Sequence, residues 1–238
     1  MSSAQIAPPS PARAPGPMLS PALDKARAST RRISEAMALL QQNLAPHRHV
    51  VREGDVICQA GQPFDCLYVL NSGCAKIITL AGDGREQLVG LKFRGDWLGF
   101  DGIAGGHYTC GTVAVDTGEV WIVRYQALLA VCTVQPVLLT LLHSEMSREI
   151  SRERDSLMSV CTLPADARVA EFLRSWADAL NDRGLRTDQI TLPLSRALSK
   201  LARHNLIGFS ARRRRDLQIP DIDALGAYVQ RCLAPTLQ

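Results

Sequence analysis

Between about residues 48 and 126 the chain is a succession of short runs rich in Val, Ile, Leu and Tyr. They are HVV, DVIC, CLYVL, CAKIITL, QLVGLKF, DWLGF, TVAV and EVWIV. Glycine-bearing turns cut them apart: Glu53-Gly54-Asp55, Gly61-Gln62-Pro63, Asn71-Ser72-Gly73, Gly82-Asp83-Gly84, Arg94-Gly95-Asp96 and Gly105-Gly106. No run is long enough for a helix. Turn signals every 8–12 residues or so confine this stretch to a sandwich or a barrel.

The flanks have a different texture. Residues 1–28 hold six of the thirteen prolines among Ala and Ser, and such a segment cannot bury enough apolar surface to offset ordering. It reads as a disordered tail over 1–29, with a helix over about 30–43 through Ile33, Met37 and Leu40. Residues 136–161 read as one long helix, opened by Pro136. Leu139, Leu142, Met146, Ile150, Leu157 and Val160 form a seam near period 3.5, with Glu153 in its gap and Arg, Glu and Ser on the other faces. That pattern predicts a dimer helix; the alternative is a helix packed on its own sheet. Glu153 would oppose its own copy across a two-fold axis and weaken association, unless Arg152 or Arg154 of the other copy neutralised it. Beyond Pro164, Val169, Phe172, Leu173, Trp176 and Leu180 share one helical face that Gly184 ends. A short extended piece (QITLPL), a helix over about 195–204, a basic hairpin (LIGFSARRRRDLQI) and a last helix from Asp223 to Cys232 follow.

The fold class predicted is α+β: an N-terminal β-roll of the jelly-roll kind, a long dimerisation helix and a small C-terminal module. The divisions are a tail over 1–29, the roll over 30–135, the dimer helix over 136–162 and the module over 163–238. No run approaches the roughly 20 apolar residues of a membrane span, and no signal-like apolar segment opens the chain, so a cytoplasmic protein without a membrane partner is expected.

Charge narrows the partner. Residues 1–160 carry 15 Lys/Arg and 15 Asp/Glu; residues 161–238 carry 12 and 8, which supplies the whole net +4. Arg196, Lys200, Arg203 and Arg212 to Arg215 crowd into 196–215 with no acid among them. A local basic field of this kind attracts a polyanion. Arg196 suits a guanine edge, and the Arg212, Arg213, Arg214, Arg215 run suits phosphates. Enzymatic readings are thin. His47-Arg-His49 with Glu53 mimics half of a cupin metal site, but the next histidine, His107, stands in a glycine-rich loop. No nucleophile–base constellation appears, so no enzyme and no cofactor is expected.

A glycine-punctuated roll, a dimer helix and a small basic module, in that order, resemble the CRP/FNR family of bacterial transcription regulators. The likeness covers about 45–238. It rests on Gly84-Arg-Glu-Gln-Leu-Val-Gly-Leu and Arg94-Gly-Asp-Trp-Leu-Gly-Phe-Asp-Gly-Ile, which look like the FNR branch, and on Ile190-Thr-Leu-Pro-Leu-Ser-Arg and Ala197-Leu-Ser-Lys-Leu. The resemblance implies a homodimer on double-stranded DNA, through Ser195, Arg196, Ser199, Lys200, Arg203 and Arg212–Arg215 in a winged helix-turn-helix. It also implies a possible RNA polymerase contact at Asp83, Gly84, Arg85 and Glu86.

Three departures qualify it. The branch's iron–sulfur cluster needs thiolates converging on one point, yet residues 1–57 hold no cysteine, Trp121 occupies the matching roll position, and the seven cysteines contain no CxxC pair. Cys66 and Cys74 alone suggest a redox pair across a turn. The cyclic-nucleotide branch holds phosphate with an arginine, and Ile103-Ala-Gly-Gly-His-Tyr-Thr-Cys-Gly-Thr has Thr109 but no arginine. Between Leu194 and the wing at Leu206 only one helix fits, so the helix-turn-helix is predicted to be truncated by about 16 residues relative to the usual motif. A DNA-silent dimerising relic that titrates a paralogue is the alternative function, and a cupin-like metal enzyme a remote one.

Overall fold

The computed structural model describes residues 21–80, 86–181, 190–191, 201–209 and 216–233. Helix α1 spans Pro21–Leu44. It therefore starts well before the expected position near 30, and residues 21–29 are helix rather than tail. The reason is local: Pro at the first turn suits helix entry, and Ala, Leu, Lys and Arg in PALDKARAS are good helix formers.

Eight strands follow: β1 His47–Val51, β2 Val56–Cys58, β3 Cys66–Ser72, β4 Ala75–Leu80, β5 Glu86–Lys92, β6 Trp97–Leu98, β7 Gly111–Ala114 and β8 Gly118–Arg124. They form two antiparallel sheets, ordered β1-β8-β3-β6 and β2-β7-β4-β5. A one-turn helix α2, Gly102–Gly105, interrupts the run before β7. Strand β3 shows how the roll is built. Its five residues Cys66–Leu70 are all buried because both faces of the strand are covered. Cys66, Tyr68 and Leu70 point between the sheets, onto Val51, Cys58, Leu98, Tyr108, Ala114 and Val120. Leu67 and Val69 point outward, under a layer of helices.

That layer consists of α1, α3 (Tyr125–Val134) and the long α4 (Pro136–Thr162). Ile33, Met37 and Leu40 of α1 lie at helical spacing and pack with Leu128, Cys132, Leu138 and Leu142 over Trp97, Trp121 and Val123. Here the single seam predicted for 139–160 divides. Leu142 is 3 % exposed and, with partly buried Met146, belongs to the protomer's own core. Leu139, Ile150, Leu157 and Val160 are exposed, and so is Glu153. A straight helix has 3.6 residues per turn, so an apolar pattern near 3.5 drifts across two faces; one of them is spent on the roll.

The C-terminal module comprises α5 (Ala165–Asn181), β9 (Ile190–Thr191), β10 (Gly208–Phe209), β11 (Asp216–Gln218) and α6 (Ile222–Leu233). Its strands form an antiparallel sheet ordered β10-β11-β9. Ala167, Ala170, Leu173, Trp176 and Ala177 of α5 share a core with Leu201, Leu206, Ile207, Leu217, Leu225 and Val229. The joint with α4 is Leu163, which is extended (φ −99°, ψ 139°), followed by Pro164, whose ring cannot continue a helix. Among the described residues no helix is long and apolar enough to cross a membrane.

Candidate functional site

The face expected to meet nucleic acid is described in part. Helical residues 201–203 end at Asn205, which takes the left-handed conformation (φ 56°) that Asn tolerates at a helix stop. Leu201 is fully buried while Arg203 and His204 are exposed, so this helix end turns its basic side to solvent. The ring of His204 lies 5.7 Å from that of Tyr228 on α6, tying the segment to the module. Strands β10 and β11 flank the basic hairpin, Gly208 pairing with Gln218. Ser195, Arg196, Ser199, Lys200 and Arg212 to Arg215 lie outside the described residues, as do Asp83, Gly84 and Arg85. Glu86 opens β5, exposed and paired with Leu80.

The roll interior is filled by aromatic side chains. Tyr108 is 1 % exposed; its ring centroid stands 5.5 Å from Phe64 and 6.2 Å from Tyr68. Its hydroxyl donates to the Cys66 carbonyl at 2.7 Å. Gly99 makes room for it: at φ +91° a Cβ would stand 2.9 Å from the Tyr108 ring. Burial raises the pKa of Tyr108 and Tyr68 and pushes the Cys66 thiol to about 11, with Asp65 adding to the effect on Cys66.

Just outside, Asp101 organises the stretch Thr109–Cys110, which the sequence resemblance sets against a phosphate-holding segment. One carboxylate oxygen accepts the Thr109 N–H at 2.7 Å, the Thr109 hydroxyl at 2.8 Å and the Cys110 N–H at 3.0 Å. An internal anion thus occupies two convergent backbone donors and a hydroxyl, the kind of nest that binds anions. In the sequence Asp101 belongs to the Arg94-Gly-Asp-Trp-Leu-Gly-Phe-Asp-Gly-Ile stretch, and nothing local marks a role for it or for Tyr108. The signal was the pairing of a carboxylate with a downstream Thr-Cys, which has no distinctive spacing.

Among the described residues the cysteines do not gather at one point, although Cys110 lies near Cys58. Cys58 and Cys66 face the roll interior, Cys132 lies under α4, Cys74 joins the C-terminal core, and Cys161 is exposed on α4. The suggested Cys66–Cys74 pair is thereby corrected: β3 runs between them, roughly 20 Å at 3.3 Å per residue. Trp121 is buried; its indole N–H donates to Glu119 at 2.7 Å and the Arg48 guanidinium sits 5.3 Å from its ring centre. His47 and His49 are exposed on β1, and His107 bridges to Pro63. Among the described residues no three His, Cys, Asp or Glu are gathered as metal donors.

The inner side of α4 is ionic where it leaves Leu142. Glu145, 6 % exposed, takes Arg148 at 2.5 Å and Arg32 of α1 at 3.8 Å. Glu149 pairs with buried Lys92 of β5, and Arg152 donates to Asp96 at 2.8 Å. Burial alone would lower the pKa of Arg152; Asp96, Glu149 and Glu145 outweigh it and hold the guanidinium raised.

Residues 48–134 match the cyclic nucleotide-binding domain family. The fumarate and nitrate reduction regulatory proteins of Escherichia coli K12 and Salmonella typhimurium are each 27% identical over 154 residues, 65% of this chain and 62% of theirs. The match thus spans less than two thirds of those relatives. The structure of FixK2 from Bradyrhizobium japonicum superposes with a TM-score of 0.66 at 21% identity, covering 76% of this chain and 96% of that one. A CRP/FNR-family transcriptional regulator from Thermus thermophilus gives 0.59 at 16% identity, covering 77% and 98%. The chain is thus similar over its roll to cyclic nucleotide-binding domains, and more broadly to fumarate and nitrate reduction regulatory proteins, and it shares the fold of FixK2 and of the Thermus regulator.

Proposed function

We propose that the chain is a dimeric, DNA-binding transcription regulator of the cytoplasm, working without an iron–sulfur cluster or cyclic nucleotide. The observation that carries the reading is the outward apolar stripe of α4, Leu139, Ile150, Leu157 and Val160, leading to a module with a three-stranded sheet and an outward Arg203. An exposed stripe of that length on a charged helix suits a second copy of the same helix. Two modules so held would reach half-sites about one helical turn, roughly 34 Å, apart. The Asp101 nest and the Tyr108 plug support a roll that needs no nucleotide, since the donors and the space a cyclic phosphate would use are taken from within. The separation of Cys66, Cys74, Cys132 and Cys161 among different cores and surfaces, with Trp121 at the matching roll position, supports a roll without a cluster. Asp83–Glu86 remain a proposed polymerase contact.

The deciding experiment is a fluorescence-anisotropy titration of the full chain with genomic fragments at about 50 and 200 mM salt. The expected result is salt-sensitive binding with a specific footprint, weakening by orders of magnitude as phosphate contacts are screened. Weak retention without a footprint, beside a stable dimer, would replace this reading with the DNA-silent relic.

A further inference from the structure

We propose that the turn Phe93–Asp96 is a brace across the α4–α5 joint, setting the angle at which the C-terminal module hangs from the stem. Four observations meet at this turn. Lys92 and Phe93 are consecutive and point to opposite sides. Lys92 pairs with Glu149 of α4; Phe93 is 5 % exposed and stands 6.1 Å, ring to ring, from Trp176 of α5. Asp96 closes the turn by accepting the Phe93 N–H at 2.9 Å with one oxygen and holds Arg152 of α4 at 2.8 Å with the other. Gly95, at φ +87°, lets the turn lie against α1: a Cβ there would be 2.5 Å from an Ile33 methyl.

The stem is therefore gripped on the near side of Leu163–Pro164 by Lys92 and Asp96, and the module on the far side by Phe93. Leu91, Val115 and Cys74 of the roll extend the same apolar contact. Strand β5 begins at Glu86, beside the proposed polymerase loop, and ends at this turn, so any shift of the roll relative to α4 is delivered to α5 through Phe93. The contact is part apolar and part ionic, and neither half holds the angle alone.

The test is hydrogen exchange on the full chain, comparing wild type with Phe93→Ala, Phe93→Leu, Arg152→Ala and the Phe93→Ala/Arg152→Ala double variant. The brace requires amides of 165–181 to exchange at least tenfold faster in Phe93→Ala and in Arg152→Ala, while β3 amides stay protected. Phe93→Leu restores most of the protection. Because the two halves act as one unit, the double variant exchanges no faster than the quicker single one. Rates within twofold of wild type in both single variants, or effects that multiply in the double, overturn the proposal; Arg152→Ala keeps it testable should Phe93→Ala fail to fold. The regulator reading stands or falls separately, since exchange needs no DNA: a chain that binds no DNA yet shows this pattern loses its function assignment and keeps its brace.

Discussion

Tyr108 is the residue on which the roll interior turns. Its hydroxyl bond to the Cys66 carbonyl is buried, so Tyr108→Phe leaves that carbonyl without its side-chain partner and costs about 1–2 kcal/mol. Urea unfolding should report the loss with an unchanged slope. Gly99→Ala should cost roughly 1–3 kcal/mol, because the new methyl meets the Tyr108 ring while the backbone is held at positive φ. Cys66 gives a pH signature. Its thiol is raised from 9.0 to about 11 in the folded chain. The neutral thiol is favoured by folding, so this contribution is intact below pH 9, where both states are protonated. It is lost as pH rises toward 11 and the unfolded chain ionises first. The stability difference between wild type and Cys66→Ala should be flat from pH 6 to about 8.5 and shrink in favour of the variant above 9.

Helix α4 carries two apolar faces, one packed into the protomer's own core and one exposed, which the proposed function gives to a second copy. Leu142→Ala, on the inner face, should destabilise the protomer by about 2–5 kcal/mol, seen as a lower midpoint in thermal or urea unfolding. Leu157→Glu, on the outer face, should change the protomer's unfolding free energy by no more than about 0.5 kcal/mol once measured on monomers, and turn sedimenting dimers into monomers if this face joins two copies as proposed. Glu153→Ala should tighten the dimer; an unchanged dissociation constant would remove any role for Glu153 in tuning association. The helix itself was legible in the sequence, from Pro136 to the stop before Pro164. Its division into two faces was not, because a seam near period 3.5 looks the same whether one neighbour or two share it. Ion pairs such as Lys92–Glu149 and Arg152–Asp96 join residues more than fifty positions apart, and no local spacing announces them.

At the scale of the whole molecule, glycine punctuation made the roll readable, since turns that demand glycine recur wherever strands must reverse. Most of the residues whose charge marks the C-terminal module, Arg196, Lys200 and Arg212 to Arg215, lie outside the described ones. What lay beyond reach was the filling of the roll: Tyr108 and Asp101 are ordinary residues made consequential by what they face across the fold. Arg203 permits a check on the module's orientation. As a phosphate contact, Arg203→Ala should weaken binding about equally on all DNA sequences and lower the salt slope by about one. An effect confined to one base position would make it a base reader instead.

The separation of α4 into an inward and an outward stripe has an evolutionary corollary. Leu139, Ile150, Leu157 and Val160 are exposed and stand outside the protomer's packed clusters, so under the dimer proposed above mate choice can drift while the fold stays put. Duplicated copies of such a gene could become mutually exclusive couples through a handful of outer-face substitutions, long before their rolls or modules diverged.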